Sequence, residues 1–397
     1  MRSGGEVGRR GRRSGTLEAR PAGRPCHRHP FEDHPVNPDL PQDPADVPTE
    51  PVEHRAPGAT PRPAEAPTVE ITAESSGLPA GHDPATRPVR RSGPRCPDCD
   101  AEVSGPRCPG CGADLDGKYV ALPVPGAAAD RFEADLGAVC VVTDRGIAHA
   151  RNEDAVAAAV LEGEHGPHTT VIVVCDGVST SANPQAASGT AVRAGVQACL
   201  AALRQGATAP DAAQAGLAAA ADAVRAIATD DLHAPSCTYV SAVVRGAGGG
   251  AVDVTVANVG DSRAYWLAAE PFRDDPGCMP SQRLTVDDSW AQALVDAGAM
   301  DEQAAMNDPR AHTLLRWLGA DSDENPWSEN AVRTFRAVGP GRLLLCSDGL
   351  WNYRPEPDGL AALAAAPDPM AAARDLADFA VRSGGNDNIT IALAPVS

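Results

Sequence analysis

Residues 169–177 read TTVIVVCDG and residues 342–349 read RLLLCSDG. Both are continuous apolar runs that end in Asp-Gly, and AVCVVTD at 138–144 is a third run ending in aspartate. Uninterrupted apolar runs of this length fit strands buried on both faces. The stretch VDVTVANVGDSRAYWL at 252–267 alternates instead, with Val252, Val254 and Val256 on one face, which suits a sheet turned toward one core. Most Asp-Gly pairs are turns. A hairpin turn, however, is followed by a second strand, and here VSTSANPQAAS and LWNYRPEPDG follow, neither of them alternating. Asp176 and Asp348 are therefore expected at the ends of buried strands, facing away from the core. Asp261 in NVGDSR has a comparable position, Asp387 in GGNDNITIAL stands just before a strand, and Glu153 and Asp154 in RNEDA form a fifth acidic point.

Helices are expected between the strands: from Gln185 to Leu203, from Asp211 (as N-cap) to Thr229, from about Ser289 with Asp287 and Asp288 as caps, and from Pro369 to Arg382, stopped by Gly384 and Gly385. Strand runs with helices between them describe sheets packed together and covered by helices.

The chain has 397 residues, 43% of them hydrophobic, and a formal net charge of −19. Such a charge disfavours nucleic acid and anionic membranes as partners. It repels phosphorylated substrates too, unless bound cations reverse the field locally. No run approaches the ~20 apolar residues of a membrane span. Cys140, Cys175, Cys199, Cys237 and Cys346 are scattered in apolar runs, as buried reduced thiols would be, so a cytoplasmic location is expected.

The composition divides the chain into four parts. Residues 1–94, rich in Pro, Gly, Arg and acidic residues without periodicity, are expected to be disordered. Residues 95–117 form a cysteine module, 118–130 a linker, and 131–397 the main domain. In the module, Cys96, Cys99, Cys108 and Cys111 form two CPxC knuckles, and a thiolate quartet of this kind matches structural zinc (Zn²⁺). Disulfides, a redox pair and iron are the other readings of the same cysteines. With four protein ligands no position stays open for chemistry, so the module suits a structural or protein-docking role.

Carboxylates gathered at one sheet end repel one another and are tolerated where cations bind among them. All-oxygen ligation selects Mg²⁺ or Mn²⁺ over zinc. A pair of such ions activates water, and a phosphate ester is the natural substrate of that arrangement.

Six motifs, TDRGIAHARNEDA, VVCDGVSTS, VANVGDSRAY, DDSWAQALV, LLLCSDGLW and GGNDNIT, together resemble in order the type 2C metal-dependent serine/threonine protein phosphatases, the PPM family in its bacterial form. The resemblance covers residues 131–397. It implies an α+β fold, a four-layer α-β-β-α sandwich of two packed antiparallel sheets flanked by helices, with metals at one end. It implies that Asp176 bridges two Mn²⁺ or Mg²⁺ ions, that the Gly177 carbonyl binds the first, and that Asp348 and Asp387 bind the second. Glu153 would reach that site through water with Asp154 beside it, and Asp261 would hold a third, weaker ion. Ser289 would lie in a mobile flap. The implied partners are phosphoproteins made by a serine/threonine kinase. Two departures stand out. The family's phosphate-gripping arginine is replaced by His149, so that His149, Arg145 or Arg151 would hold phosphate. Val178-Ser179-Thr180 follow Gly177 without a histidine, which leaves His149 as the general acid. The alternative these departures raise is a catalytically impaired scaffold on the same fold. Of the remaining residues, Arg263 reads as half of a structural ion pair, Arg316 as packing or flap structure, His312 as a surface or capping residue, and Trp351 and Tyr353 as core.

Overall fold

The computed structural model describes residues 84–162, 168–229, 234–270, 272, 275–322 and 327–396. The expected disorder of residues 1–83 lies outside them. After one 3-10 turn (Pro84–Thr86) come β1 (Val89–Arg91), the cysteine module, β2 (Gly117–Leu122), β3 (Arg131–Asp135), β4 (Cys140–Asp144), β5 (Ala155–Leu161) and β6 (Thr169–Cys175). Two long helices follow, α1 (Pro184–Arg204) and α2 (Ala209–Ala226). The chain continues with β7 (Ser236–Cys237), β8 (Tyr239–Gly248), β9 (Ala251–Val259), β10 (Arg263–Ala268), β11 (Gln282–Arg283), α3 (Trp290–Asp296), α4 (Glu302–Met306) and β12 (Leu318–Gly319). It closes with β13 (Val332–Val338), β14 (Gly341–Cys346), α5 (Asp348–Trp351), α6 (Pro357–Leu363), α7 (Pro369–Arg382) and β15 (Ile389–Val396).

One sheet has the order β1-β3-β4-β15-β14-β10-β11 and the other β13-β9-β8-β6-β5-β2, while β7 and β12 pair separately. Every pairing is antiparallel except β1 with β3. The apolar run of β6 is explained by its two faces. Val171, Val173 and Cys175 pack with α1 and α2, whereas Ile172 and Val174 enter the core between the sheets. Val254 and Val256 join that inner core, with Val252 at its edge, as their alternation predicts. On the far side Leu344, Cys346, Ile389 and Ile391 pack under α5–α7. The layers are thus helix, sheet, sheet, helix. Each fully buried Val, Leu or Ile contributes about 1.5–3 kcal/mol, so three continuous clusters hold the strand ends rigidly in place. No helix among the described residues is long and apolar enough to cross a membrane.

The structure corrects both N-terminal boundaries. Val89–Arg91, inside the stretch expected to be disordered, adds an edge strand along β3. It is anchored by Arg87, which meets buried Asp144 at 2.9 Å, where Arg131 also bonds at 2.7 Å. Three polar-flanked residues carry no periodicity that composition could reveal. The expected linker begins with β2, whose Tyr119–Leu122 are buried against β5. Only residues 123–130 connect. Caps differ as well. Thr208, rather than Asp211, caps α2 by accepting from the Asp211 N–H, and Ser289 caps α3, while Asp287 is committed to Arg263. Gly384 and Gly385 end α7 with φ of +144° and +55°, which a glycine adopts freely.

Candidate active site

The acidic residues converge because each sits at a strand end on the same side of the sandwich. Asp176 follows β6, Asp261 lies in the turn between β9 and β10, Asp348 opens α5 directly after β14, and Asp387 precedes β15. Glu153 and Asp154 precede β5. Asp176, Asp261, Asp348 and Asp387 line one cavity of about 520 Å³ together with Gly177 and His312. Among the described residues no arginine or lysine lines it. Asp176 is fixed by Thr238, whose hydroxyl accepts from the Asp176 N–H at 3.0 Å and whose N–H donates to the Asp176 carbonyl at 2.8 Å. A Cβ on Gly177 would stand 2.7 Å from the Glu153 carbonyl oxygen and from Pro184, so only glycine lets this turn close against α1.

Burial and mutual repulsion raise the carboxyl pKa values throughout. Asp348 is pushed up to about 6, by burial first and then by Asp387. Asp154, 1% exposed, is pushed up to about 7 by burial and then by Asp387 and Asp348, against the pull of its Ser347 bond. Asp176 and Asp261 rise well above the carboxylate range, again through burial first and neighbouring aspartates second. Burial raises Asp387, while the Asn388 N–H and His149 draw it back. Ser347 Oγ donates to Asp154 Oδ2 at 2.7 Å, and Asn352 donates to Asp348 Oδ2 at 3.0 Å. Oδ1 of both aspartates is buried without a hydrogen-bond partner. Leaving buried acceptors unpaired costs about 1–3 kcal/mol each. Oxygen donors that repel one another, orphaned lone pairs and no arginine or lysine among the described lining residues are the properties of a cleft that fits divalent cations.

The remaining predicted residues are placed around this cleft. Glu153 turns sideways, accepting from Ser179 Oγ at 2.7 Å and from Arg151 at 3.0 Å. His149 Nε2 lies 3.2 Å from Asp387 Oδ1. Arg145 and Arg151 depart from expectation. Arg145 pairs with Asp130 at 3.0 Å and donates to the His149 carbonyl, Arg151 pairs with Glu153, and neither lines the aspartate cavity. Their hydrogen-bonding groups hold the His149 loop in shape. His312 is exposed, as expected of a surface residue, but it also borders the cleft. A ring nitrogen lies within 4.8 Å of carboxylate oxygens of Asp261 and Asp348, with the ring stacked on Trp351. Arg263 and Asp287 do form the buried ion pair, at 2.6 Å, with the guanidinium over Trp351. Sequence reading missed Thr238, Ser347 and Asn388. The last two lie inside the CSDG and NDNIT motifs, and Asn388 binds the Arg145 and Arg151 carbonyls while accepting from the Glu153 N–H.

In the cysteine module all four sulfurs lie within 4.8 Å of one another, with pairs at 3.5 and 3.7 Å. Four thiolates about 2.3 Å from a tetrahedral zinc stand close to that spacing. The backbone N–H of Cys111 leads the effects that lower Cys108 to about 6, which favours a thiolate.

Two antiparallel sheets between helical layers, with aspartates at one end, make this the fold of the PPM phosphatases. The chain has homologues among bacterial serine/threonine phosphatases. It is 33% identical over 170 residues to the serine/threonine phosphatase stp of Listeria welshimeri, covering 41% of this chain and 58% of that protein. It is 34% identical over 140 residues to PstP of Mycobacterium tuberculosis, covering 35% of this chain and 24% of that protein. The chain thus spans little more than half the length of the Listeria relative. The S. agalactiae serine/threonine phosphatase structure aligns with a TM-score of 0.51 at 22% identity, over 65% of this chain and 99% of that one. No protein-family model matches the chain.

Proposed function

We propose that this protein is a metal-dependent phosphatase that hydrolyses phosphoserine and phosphothreonine on proteins. The observation that carries this reading is the cavity of four strand-end aspartates with no arginine or lysine among its described lining residues. The phosphatase relatives support it. Asp176, the Gly177 carbonyl, Asp348 and Asp387 would hold two Mn²⁺ or Mg²⁺ ions, Asp261 a third, and Glu153 would contribute through water. Divalent cations bound there supply positive charge for the phosphoryl group and lower the pKa of water. The chain's own residues do the rest. Water oxygen bonds to phosphorus as the bond to the serine or threonine oxygen breaks, releasing phosphate. His149, oriented by Asp387 and by Arg145 on its carbonyl, contacts the phosphoryl group and returns a proton to the departing oxygen. Ser347 keeps Asp154 in place behind the ligands. The cysteine module holds a structural zinc and offers a docking surface, and the substrates are cytoplasmic phosphoproteins of an opposing kinase.

The test is hydrolysis of a phosphothreonine peptide with and without Mn²⁺. Activity should require the metal and vanish in EDTA. Full turnover in EDTA would overturn the reading.

A further inference from the structure

A second cavity, of about 700 Å³, lies beside the 145–152 loop that carries His149. It is lined by one face of α1 (Gln185, Gly189, Arg193), by the connection at 123–129, and by Arg145 and Arg151. The α1 residues recur every four positions and so share a face. The connection reads Pro-Val-Pro-Gly-Ala-Ala-Ala and supplies apolar surface. Most charges here are already matched. Asp130, which lines the cavity, pairs with Arg145, and Arg151 pairs with Glu153, while Asp154, also on the wall, takes the Ser347 hydroxyl on Oδ2 and keeps Oδ1 unpartnered. Arg193 is different. Nη1 donates to the Gly189 carbonyl at 3.0 Å, Nη2 is buried without an acceptor, and no carboxylate among the described residues pairs with the guanidinium. Gln185 Oε1 is likewise buried and unpartnered. One unmatched cation and two unmatched acceptors, Gln185 Oε1 and Asp154 Oδ1, along an apolar wall call for an anionic group on a chain with free N–H groups.

We propose that this cavity is a specificity subsite for an acidic side chain of the substrate peptide, recognised by Arg193, with Gln185 accepting from the peptide backbone. The inference rests on the phosphatase reading and adds a sequence preference to it. Position along α1 fixes the spacing. Pro184 touches Gly177 at the reacting end, and Ser188 bonds the Glu153 carbonyl at 2.5 Å. Arg193 stands nine residues along the helix from Pro184, a rise of about 13 Å at roughly 1.5 Å per residue. An extended peptide covers that in about four residues at roughly 3.3 Å each. One turn further, Gln197 donates to the Pro97 carbonyl of the cysteine module. A peptide along this face therefore runs from the cleft toward the module.

The experiment compares phosphothreonine peptides carrying Glu or Gln four residues from the phosphorylated position, on either side, with p-nitrophenyl phosphate as reference. In the wild type one Glu peptide should exceed its Gln partner about tenfold in kcat/KM, the scale of one charge-assisted hydrogen bond. Arg193→Gln should bring that ratio to one while leaving p-nitrophenyl phosphate turnover unchanged, and Arg193→Lys should restore part of it. No Glu preference in the wild type, or a preference that survives Arg193→Gln, overturns the proposal. Fluorescence anisotropy of the same peptides on the same proteins separates the two readings. Glu-selective binding lost in Arg193→Gln, with no hydrolysis of any substrate, would sink the catalytic reading and keep the subsite.

Discussion

The cysteine module and the aspartate cleft gather metal-type donors in opposite ways. The module draws four sulfurs from sixteen consecutive residues, Cys96 to Cys111, folded by two tight turns that bond each first cysteine's carbonyl. Its four sulfurs lie within 4.8 Å of one another, close to the spacing of a zinc site. The cleft draws its carboxylates from strand ends between residues 153 and 387, and two sheets and three apolar clusters are needed to bring them together. Its donors repel one another, keep orphaned oxygens and face a cavity. A short-range, closed donor set is suited to holding structure. A long-range, open set held by a rigid core is suited to chemistry, because ligand positions remain for substrate and water.

The largest effect that would sharpen this contrast is expected at Asp176. Asp176→Asn removes a charge from the centre of the cleft without changing its shape, and phosphopeptide turnover should fall more than about 100-fold, beyond the usual cost of disturbing a ligand's support. Unchanged circular dichroism would assign the loss to the site. A loss of only a few fold would break the claim that the cleft is where the reaction occurs.

His149 comes next. If it returns the proton to the departing oxygen, His149→Arg should slow hydrolysis of phosphoserine peptides by about 10–100-fold, the lower range of general acid catalysis. p-Nitrophenyl phosphate should be spared, because its leaving group departs as a stable anion. Equal losses on both substrates would instead make His149 a phosphate contact alone.

The crowded carboxylates should also weaken the metal-free fold. Asp348 has its pKa raised from 3.8 to about 6, so its folded form favours the proton. Its contribution to stability is fully present below the unfolded value and is lost as pH rises through about 6. In EDTA, Asp348→Asn should therefore stabilise the protein by about 3 kcal/mol at pH 8 and by only about 1 kcal/mol at pH 4.5. Thermal melts at the two pH values check the sign. A variant less stable at pH 8 would mean that the aspartates are not in conflict there.

The legibility of the two regions follows the same contrast. The module's cysteines were readable because its donors are neighbours in sequence. The strand-end aspartates were readable because each closes or precedes an apolar run. What was not readable depends on distance across the fold. Ser347 matters through Asp154, nearly two hundred residues away. His312 matters because its segment brings it to Asp261 and Asp348. Arg145 has the chemistry of a phosphate ligand, but the fold commits its guanidinium to Asp130 and the His149 carbonyl. The edge strand β1 was hidden because three residues carry no period, and its place is set by the buried partners of Asp144.

The smallest catalytic effect is expected from the module. Cys108 is buried, its thiol is lowered to about 6, and its backbone closes the second turn through bonds to Ala113 and Gly112. Cys108→Ser should lower bound zinc from one per chain to near none, measured by atomic emission, because a hydroxyl is a poor replacement for a thiolate. None of the apolar clusters that hold the strand ends includes Cys96 or Cys108. The described hydrogen bonds from the module to the sheets and helices include Arg95 N–H to the Tyr119 carbonyl and Gln197 to Pro97, and these leave the cleft untouched. Turnover of p-nitrophenyl phosphate should thus stay within about twofold, as for a surface change remote from the ligands. A tenfold fall would erase the contrast between a closed structural site and an open reactive one, since the thiolates would then be helping to shape the cleft. Point substitution is the right probe here. Cutting the chain ahead of residue 118 would also remove β1, and with it the edge of the sheet that carries Asp144.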